Sequence, residues 1–496
     1  MAAMLRSTGA DGRSSFCALD ETSQPIELLL SVTRAGPETL GAQIEEQLRR
    51  AIREGALRSG ARMPSTRDLS RQLGVSRRIA VDAYAQLAAE GYLVLRQGAR
   101  PRVSDAAAVT QEPSSHPPRP APRPRFNFRP SAPDVSTFPR GAWLRSLREA
   151  VTRITDDDLG YADPRGVEAL RSALADYLGR VRGVVADPER VVVTCGYSQG
   201  QGVVCRALAS LGAKRIAFED PSHPEQRQIA ARAGLDVVGV TVDEDGLRVD
   251  ELERAGADAV VVTPAHQHPT GAVLAGERRT ALLGWLRDRG AFAIEDDYDA
   301  EYRYDRAAVG ALQGLEPDRM VYAGSVSKTL APALRLGWLV VPEALLDAVT
   351  GEKALADLGT ARIDQHALAD FLVRGELDRH LRRMRVRYRA RRDALVAALA
   401  EALPEATVRG IAAGLHATVE LPATDDELAI LDEARRRRVE LTTITDHRIA
   451  SATGPPTLLL GYGHAPEPTI RAGVRELAAA VRASRRRGAG GPASGR

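Results

Sequence analysis

MVYAGSVSKTLAPALRLGWL, residues 320–339, is the stretch on which the reading of this 496-residue chain turns. MVYAG has the apolar run of a buried strand, and a hydroxyl-rich turn follows it, flanked by Lys328 and Arg335. Only three of the 68 basic residues are lysine (Lys214, Lys328 and Lys353), so a lysine in this position is conspicuous. Arginine cannot replace it where the chemistry requires a neutral amine able to form a Schiff base.

Working outward, five further strand candidates share this arrangement of apolar run and loop. They are RVVVT (190–194), RIAFED (215–220), DVVGV (236–240), AVVVT (259–263) and FAIED (292–296). Their alternation with helical segments predicts α/β layers around a mostly parallel sheet. Ligands in such sheets bind beyond the carboxyl ends of the strands, so the residues there are the candidates. After RVVVT come Gly196, Tyr197 and Ser198, opening a helix whose free N–H groups suit an anion. Many helices that bind nothing open in the same way. After AVVVT comes PAHQHPTG, a turn-rich loop that is ambiguous alone. Asp296 ends an apolar strand and is expected to face a partner, with Asp297, Tyr298 and Asp299 following.

The segment before residue 105 has a different character. Leu40, Ile44, Leu48 and Ile52 lie four apart and predict one helix ending at Gly55. Pro64 with Ser65 or Thr66 opens a second helix through Leu73, which Gly74 breaks, and Ser76 caps a third from about Arg77 to Ala89. Two short helices joined by a Gly-containing turn form a helix-turn-helix. YLVLRQGARPRVS then reads as a hairpin with Gly98 at its tip, the wing of a winged helix. Three amphipathic helices could be a plain bundle, but Arg67, Arg77, Arg78, Arg100 and Arg102 gather where a duplex would dock. DAAAVTQEPSSHPPRPAPRPR (105–125) carries six prolines and reads as an extended linker.

The net charge of +3 therefore hides an asymmetry. Residues 34–104 hold 13 arginines, no lysine and seven acids, a net of +6, which leaves −3 for the remainder. Cys17, Cys195 and Cys205 are odd in number and lack metal-finger spacing, so neither a disulfide framework nor a zinc finger is expected. No signal core is found at the N-terminus, and no apolar run approaches the about 20 residues that span a bilayer. A cytoplasmic, reducing environment is expected. The expected layout is a disordered N-terminus (1–25), a winged helix (26–104), the linker (105–125), a large domain (126–482) and a disordered tail (483–496).

PSTRDLSRQLGVSR…AYAQLAAEGYL resembles the winged helix of the GntR family of bacterial transcription regulators. The resemblance implies DNA contacts from Arg67, Ser76, Arg77 and Arg78, with Gly98 at the wing tip. The strand-end loops, with FNFRPSAPDVSTFPRGAWLR and LGYADPRGVEALRSALADYL, resemble the fold-type-I, aspartate-aminotransferase-like pyridoxal phosphate domain. Winged helix, Pro-rich linker and aminotransferase-like domain in that order resemble the MocR/GabR subfamily. The implied fold class is an α+β winged helix-turn-helix joined to an α/β fold-type-I domain, and the implied assembly is a head-to-tail homodimer.

By this resemblance Lys328 holds pyridoxal 5'-phosphate as a Schiff base, Asp296 pairs with its pyridine nitrogen, and Tyr298 bonds its phenolic oxygen. Ser198, Ser325, Ser327 and Arg335 hold the phosphate with backbone help from Gly196 and Tyr197, and Tyr161 reaches a phosphate across the dimer. His223 stands where the family usually has a ring-stacking tyrosine, and His268 where aminotransferases have asparagine. Leu459, in LLLGYG, stands where transaminases place the arginine for a substrate carboxylate, and Arg448 is the candidate substitute. The implied function is a transcription regulator, binding double-stranded DNA and responding to pyridoxal phosphate or to an amine or amino-acid effector. The alternative is a working aminotransferase with an accessory DNA-binding domain, against which Leu459 weighs; a third reading is a plain repressor whose large domain serves only for dimerisation.

Overall fold

The computed structural model describes residues 30–105 except 36, and 124–489 except 131, 162, 305–308, 411–412 and 450–453. The expected N-terminal tail and almost all of the Pro-rich linker lie outside the described residues. The chain divides into two compact units between Ala121 and Pro122.

In the small unit, α1 (Leu40–Arg53), α2 (Thr66–Leu73) and α3 (Arg77–Ala89) follow the sequence signals closely. Thr39, Ser65 and Ser76 each accept a backbone N–H from the first turn of the helix they precede. Gly74 takes φ +63°, which lets its N–H close α2 onto Ser70. The apolar stripe of α1 is buried against Leu69, Ala80, Tyr84 and Leu87. Tyr84 satisfies its buried hydroxyl by donating to the Pro64 carbonyl at 3.1 Å. Arg49 makes a two-pronged contact with Glu90, tying α1 to the end of α3. The wing pairs Leu93–Val94 with Arg102–Val103, with Gly98 at φ +79° between them.

The large unit is built on an eight-stranded sheet. Its strands are β1 (Val191–Thr194), β2 (Arg215–Asp220), β3 (Asp236–Asp243), β4 (Gly246–Leu247), β5 (Ala259–Val262), β6 (Phe292–Asp296), β7 (Met320–Ser325) and β8 (Gly337–Val340). Their order is β1-β8-β7-β6-β5-β2-β3-β4. β8 runs antiparallel to both β7 and β1, whereas β2, β3, β5, β6 and β7 pair in parallel. All six expected strands are present; β8 and the two-residue β4 are additions. Consecutive residues enter opposite cores: Ile216, Val261, Ile294 and Val321 pack on one face, and Ala217, Val260, Ala293 and Met320 on the other. Burial on both faces explains why these strands read as unbroken apolar runs.

A second sheet, of β9 (Thr407–Arg409), β10 (His416–Glu420), β11 (Thr442–Thr443) and β12 (Thr457–Gly461), has the order β9-β10-β12-β11. The closing helix, Glu467–Ala489, corrects the expected tail at 483. It continues because Arg485 is held by Asp425 through two bonds of 2.6 and 2.7 Å and by Glu405 at 2.6 Å. Those partners lie far away in sequence and give no local signal. Among the described residues no helix is long and apolar enough to cross a membrane.

Candidate cofactor cleft and nucleic-acid surface

The carboxyl ends of β1, β2, β5, β6 and β7 open on one edge of the sheet, and the expected cofactor residues other than Tyr161 sit there. β7 ends at Ser325, paired with Gly337, which in turn pairs with Thr194 at the end of β1. The turns carrying Gly196, Ser325 to Lys328, and Arg335 are thereby neighbours. Gly196 has φ +82° and caps the helix Tyr197–Ser210. A Cβ there would lie 3.0 Å from the Arg335 guanidinium, so glycine leaves the room that brings the two together. Arg335, in the left-handed region at φ +51°, donates to the Cys195 carbonyl at 2.6 Å. Ser198 is exposed, and Ser325 and Ser327 are half-buried beside the same turns.

Asp296 is buried at the end of β6 and accepts from Gln226 Nε2 at 2.8 Å. Burial raises its pKa to about 7, opposed by that hydrogen bond. Lys328 Nζ makes no hydrogen bond among the described residues, and burial lowers its pKa against the pull of Asp299 and Asp296. An amine held toward neutrality facing a reluctant carboxyl is the condition a Schiff-base lysine and a ring-nitrogen partner require.

Five of the nine histidines converge on this cleft, which no sequence signal announced. His223 and His268 stack with ring centroids 5.4 Å apart. The His268 ring also lies 5.2 Å from both His416 and His447, and meets Tyr298 edge-on at 5.9 Å. Burial drives His268 well below the ordinary imidazole value and His416 down to about 3, so both are neutral. His266 reaches Asp299 and Tyr298 through Nδ1. Ligand atoms of His266, Asp299 and His416 lie within 4.8 Å of one another, a spacing that can hold a metal ion. The AHQH pair could have been suspected from the loop after β5, but His416 and His447 belong to the second sheet and its flank.

Leu459 is fully buried in β12, opposite Thr418 of β10. Its neighbours Leu458 and Leu460 enter the core with Ala417 and Val419. Strand alternation puts Leu459 and Thr418 on the face that carries His416, hence toward the histidine cluster. Arg448 follows His447 directly; it is half-buried, and its Nε is without a partner among the described residues. Tyr161 stands apart from the cleft residues. It is 92% exposed, in the wall of a cavity of about 270 Å³ bounded also by Asp158, Gly166 and residues 357–363.

On the small unit Arg67, Ser76, Arg77 and Arg78 are all exposed at the starts of α2 and α3. Arg78 pairs only loosely with Asp82, at 3.7 Å. Arg100 and Arg102 on the wing are exposed as well. A helix-turn-helix with exposed guanidinium groups at the start of its second helix has the chemistry for phosphates and guanine edges.

Residues 135–454 match the family of class I and II aminotransferases, and residues 40–103 match the gntR family of bacterial regulatory proteins. The chain is 32% identical to the HTH-type pyridoxine biosynthesis transcriptional regulator PdxR of Corynebacterium glutamicum, over 92% of this chain and 99% of that protein. It is 31% identical to the probable rhizopine catabolism regulatory protein MocR of Rhizobium meliloti, over 93% and 97%. Among solved structures, a multiple substrate aminotransferase from Thermococcus profundus superposes with a TM-score of 0.67 at 24% identity, over 73% of this chain and 92% of that one. That likeness concerns the fold of the large unit.

Proposed function

Because the chain belongs to the MocR-type regulators, in which a GntR-family DNA-binding domain precedes a class I/II aminotransferase domain, we propose that it is a transcription regulator whose DNA binding answers to pyridoxal 5'-phosphate held in the cleft at Lys328. One observation carries the reading. Lys328, Asp296, Tyr298 and the Gly196–Arg335 turn meet at one sheet edge, in a chain that also exposes a basic helix-turn-helix. The residues fit the cofactor. The amine has no competing hydrogen bond, the buried carboxyl suits a ring nitrogen, and the glycine turn against Arg335 forms a cradle that a Cβ would fill.

Within that reading Lys328 attaches the cofactor, Asp296 faces its ring nitrogen, and Tyr298 its ring oxygen. Arg335, Ser198, Ser325 and Ser327 hold the phosphate with the N–H groups of Gly196 and Tyr197. His223 would stack on the ring as a neutral group, with His268 packed against it. When bound, the cofactor supplies a reactive carbonyl and an electron-withdrawing ring. The buried Leu459 offers a substrate carboxylate nothing to bond, and losing a charge-assisted pair of that kind costs about 1.5–3 kcal/mol. The reading is therefore regulation without sustained transamination, with pyridoxal phosphate itself or an amine as effector. The similarity to a pyridoxine biosynthesis regulator supports pyridoxal phosphate as the first effector to test. The exposed Tyr161 supports a head-to-tail homodimer in which it reaches the partner's phosphate. Arg67, Ser76, Arg77 and Arg78 contact the operator, with Gly98 at the wing tip.

The test is titration of the purified chain with pyridoxal phosphate, followed by absorbance. A visible band in the native chain that Lys328→Ala lacks is expected. Equal spectra for both proteins would overturn the assignment of Lys328.

A further inference from the structure

His266 is set where no cofactor contact requires it. Its Nδ1 lies 3.1 and 3.2 Å from the two carboxylate oxygens of Asp299 and 3.0 Å from the Tyr298 hydroxyl. The His266 and Asp299 side chains are each 1% exposed. The pair is clamped: a Cβ on Gly414, at φ +77°, would collide with His266 Cε1 and Asp299 Oδ2. The His416 ring packs beside His266 at 5.2 Å.

This geometry selects one tautomer. A carboxylate only accepts, so the proton of a neutral imidazole belongs on the Nδ1 that faces it. The other nitrogen, Nε2, is buried with no partner among the described residues. A bare lone pair is the cheaper orphan there, since unpaired buried N–H groups are the rarer and costlier kind. The opposite tautomer would bury an unpaired N–H and point a lone pair at Asp299. With Nδ1 protonated, Tyr298 cannot donate to His266. Its oxygen can only receive from that side, and its own hydrogen is left for the cleft.

We propose that Asp299 and His266 are positioning residues that fix Tyr298 as a hydrogen-bond donor toward the oxygen of a ligand bound at Lys328. The inference rests on the cofactor reading above, in which that oxygen is the ring hydroxyl of pyridoxal phosphate. A committed donor stabilises the anionic form of that oxygen, so the dyad sets the pH at which the bound cofactor's visible band changes. The other groups acting on Tyr298 are Asp296, Glu219 and Tyr462, with the His268 ring edge-on to it. Lys328 faces Asp299 and Asp296. Asp296, Asp299, Glu219, Tyr462, His268 and Lys328 are all unchanged in the His266 variants below.

The experiment is a pH titration of the visible band in the full-length chain loaded with pyridoxal phosphate. Tyr298→Phe serves as the reference and is expected to raise the midpoint. His266→Phe should raise it by about one unit, a tenfold change in proton affinity. His266→Asn, whose amide N–H stands in for Nδ1–H, should stay near the native midpoint. Spectra of the 15N-histidine-labelled chain without cofactor supply a second readout. The His266 imidazole should be an Nδ1–H tautomer whose signal is absent in His266→Asn, beside the Nδ1–H that His447 donates to the Thr443 carbonyl at 3.1 Å. A shifted midpoint in Tyr298→Phe with a native midpoint in His266→Phe, or an Nε2–H tautomer at His266 in the native chain, would overturn the dyad's role while leaving the cofactor reading intact. A native chain without any visible band would overturn the cofactor reading itself, and the dyad's role with it.

Discussion

The two units place their working groups in opposite surroundings. On the small unit the arginines at the starts of α2 and α3 are exposed and nearly unpaired. In the large unit Asp296, His266, His268 and Asp299 are buried, and burial itself moves the Asp296 and His268 pKa values away from their ordinary ones. One site works by long-range charge that salt can screen, the other by short-range contacts in a medium where each proton position matters. The two sites are therefore separable by mutation.

The largest effect is all or none. Lys328→Ala should abolish the visible band while the melting of the small unit is unaltered, as followed by absorbance and calorimetry. Next comes a structural test of the large unit alone. Arg182 Nε and Asp297 Oδ2 form a buried pair at 2.7 Å, and the Tyr322 hydroxyl donates to the same oxygen. Asp297→Ala leaves a buried guanidinium unpaired and should cost about 3–5 kcal/mol in denaturant unfolding of the large unit, with the small unit's transition unmoved. Removing Arg77 or Arg78 should cost about 1–3 kcal/mol in DNA affinity each and flatten its salt dependence, without altering the visible band.

A smaller effect follows from Asp296. Its folded pKa of about 7 lies above the ordinary 3.8, so the folded chain keeps a proton that the unfolded chain gives up. That contribution is fully present below about pH 4 and is lost as pH rises through 7. Glu219, raised to about 7 by burial, acts in the same sense. Asp296→Asn should therefore lessen the fall in melting temperature of the cofactor-free chain between pH 4 and 7 by about 2–4 °C. The smallest is Ser76→Ala, which removes the cap of α3 and should cost about 1 kcal/mol in the small unit only.

The same contrast governs what could be read in advance. The winged helix was legible almost to the residue, because caps, glycine stops and an i,i+4 apolar stripe are local signals. Doubly buried strands were legible as apolar runs, and the scarcity of lysine made Lys328 stand out. β8 was not, because Gly337–Val340 follows the hydroxyl-rich turn so closely that it reads as the turn's continuation. Nor were His266, His416 and His447 as a group, since they come together only when the second sheet folds against the first sheet's edge. The closing helix ran past its expected end for a similar reason, as its anchors Asp425 and Glu405 lie 60 and 80 residues away.

In the proposed function, cofactor occupancy at Lys328 is coupled to DNA binding by α3 and the wing. Its most direct test is the affinity of the full-length chain for DNA fragments that it selects from a random-sequence pool, measured at fixed salt with and without pyridoxal phosphate. The account predicts that the cofactor changes the native chain's affinity about tenfold or more, a coupling of at least about 1.4 kcal/mol, and leaves Lys328→Ala unchanged. Equal affinities with and without cofactor in the native chain, at concentrations that saturate the visible band, would contradict it.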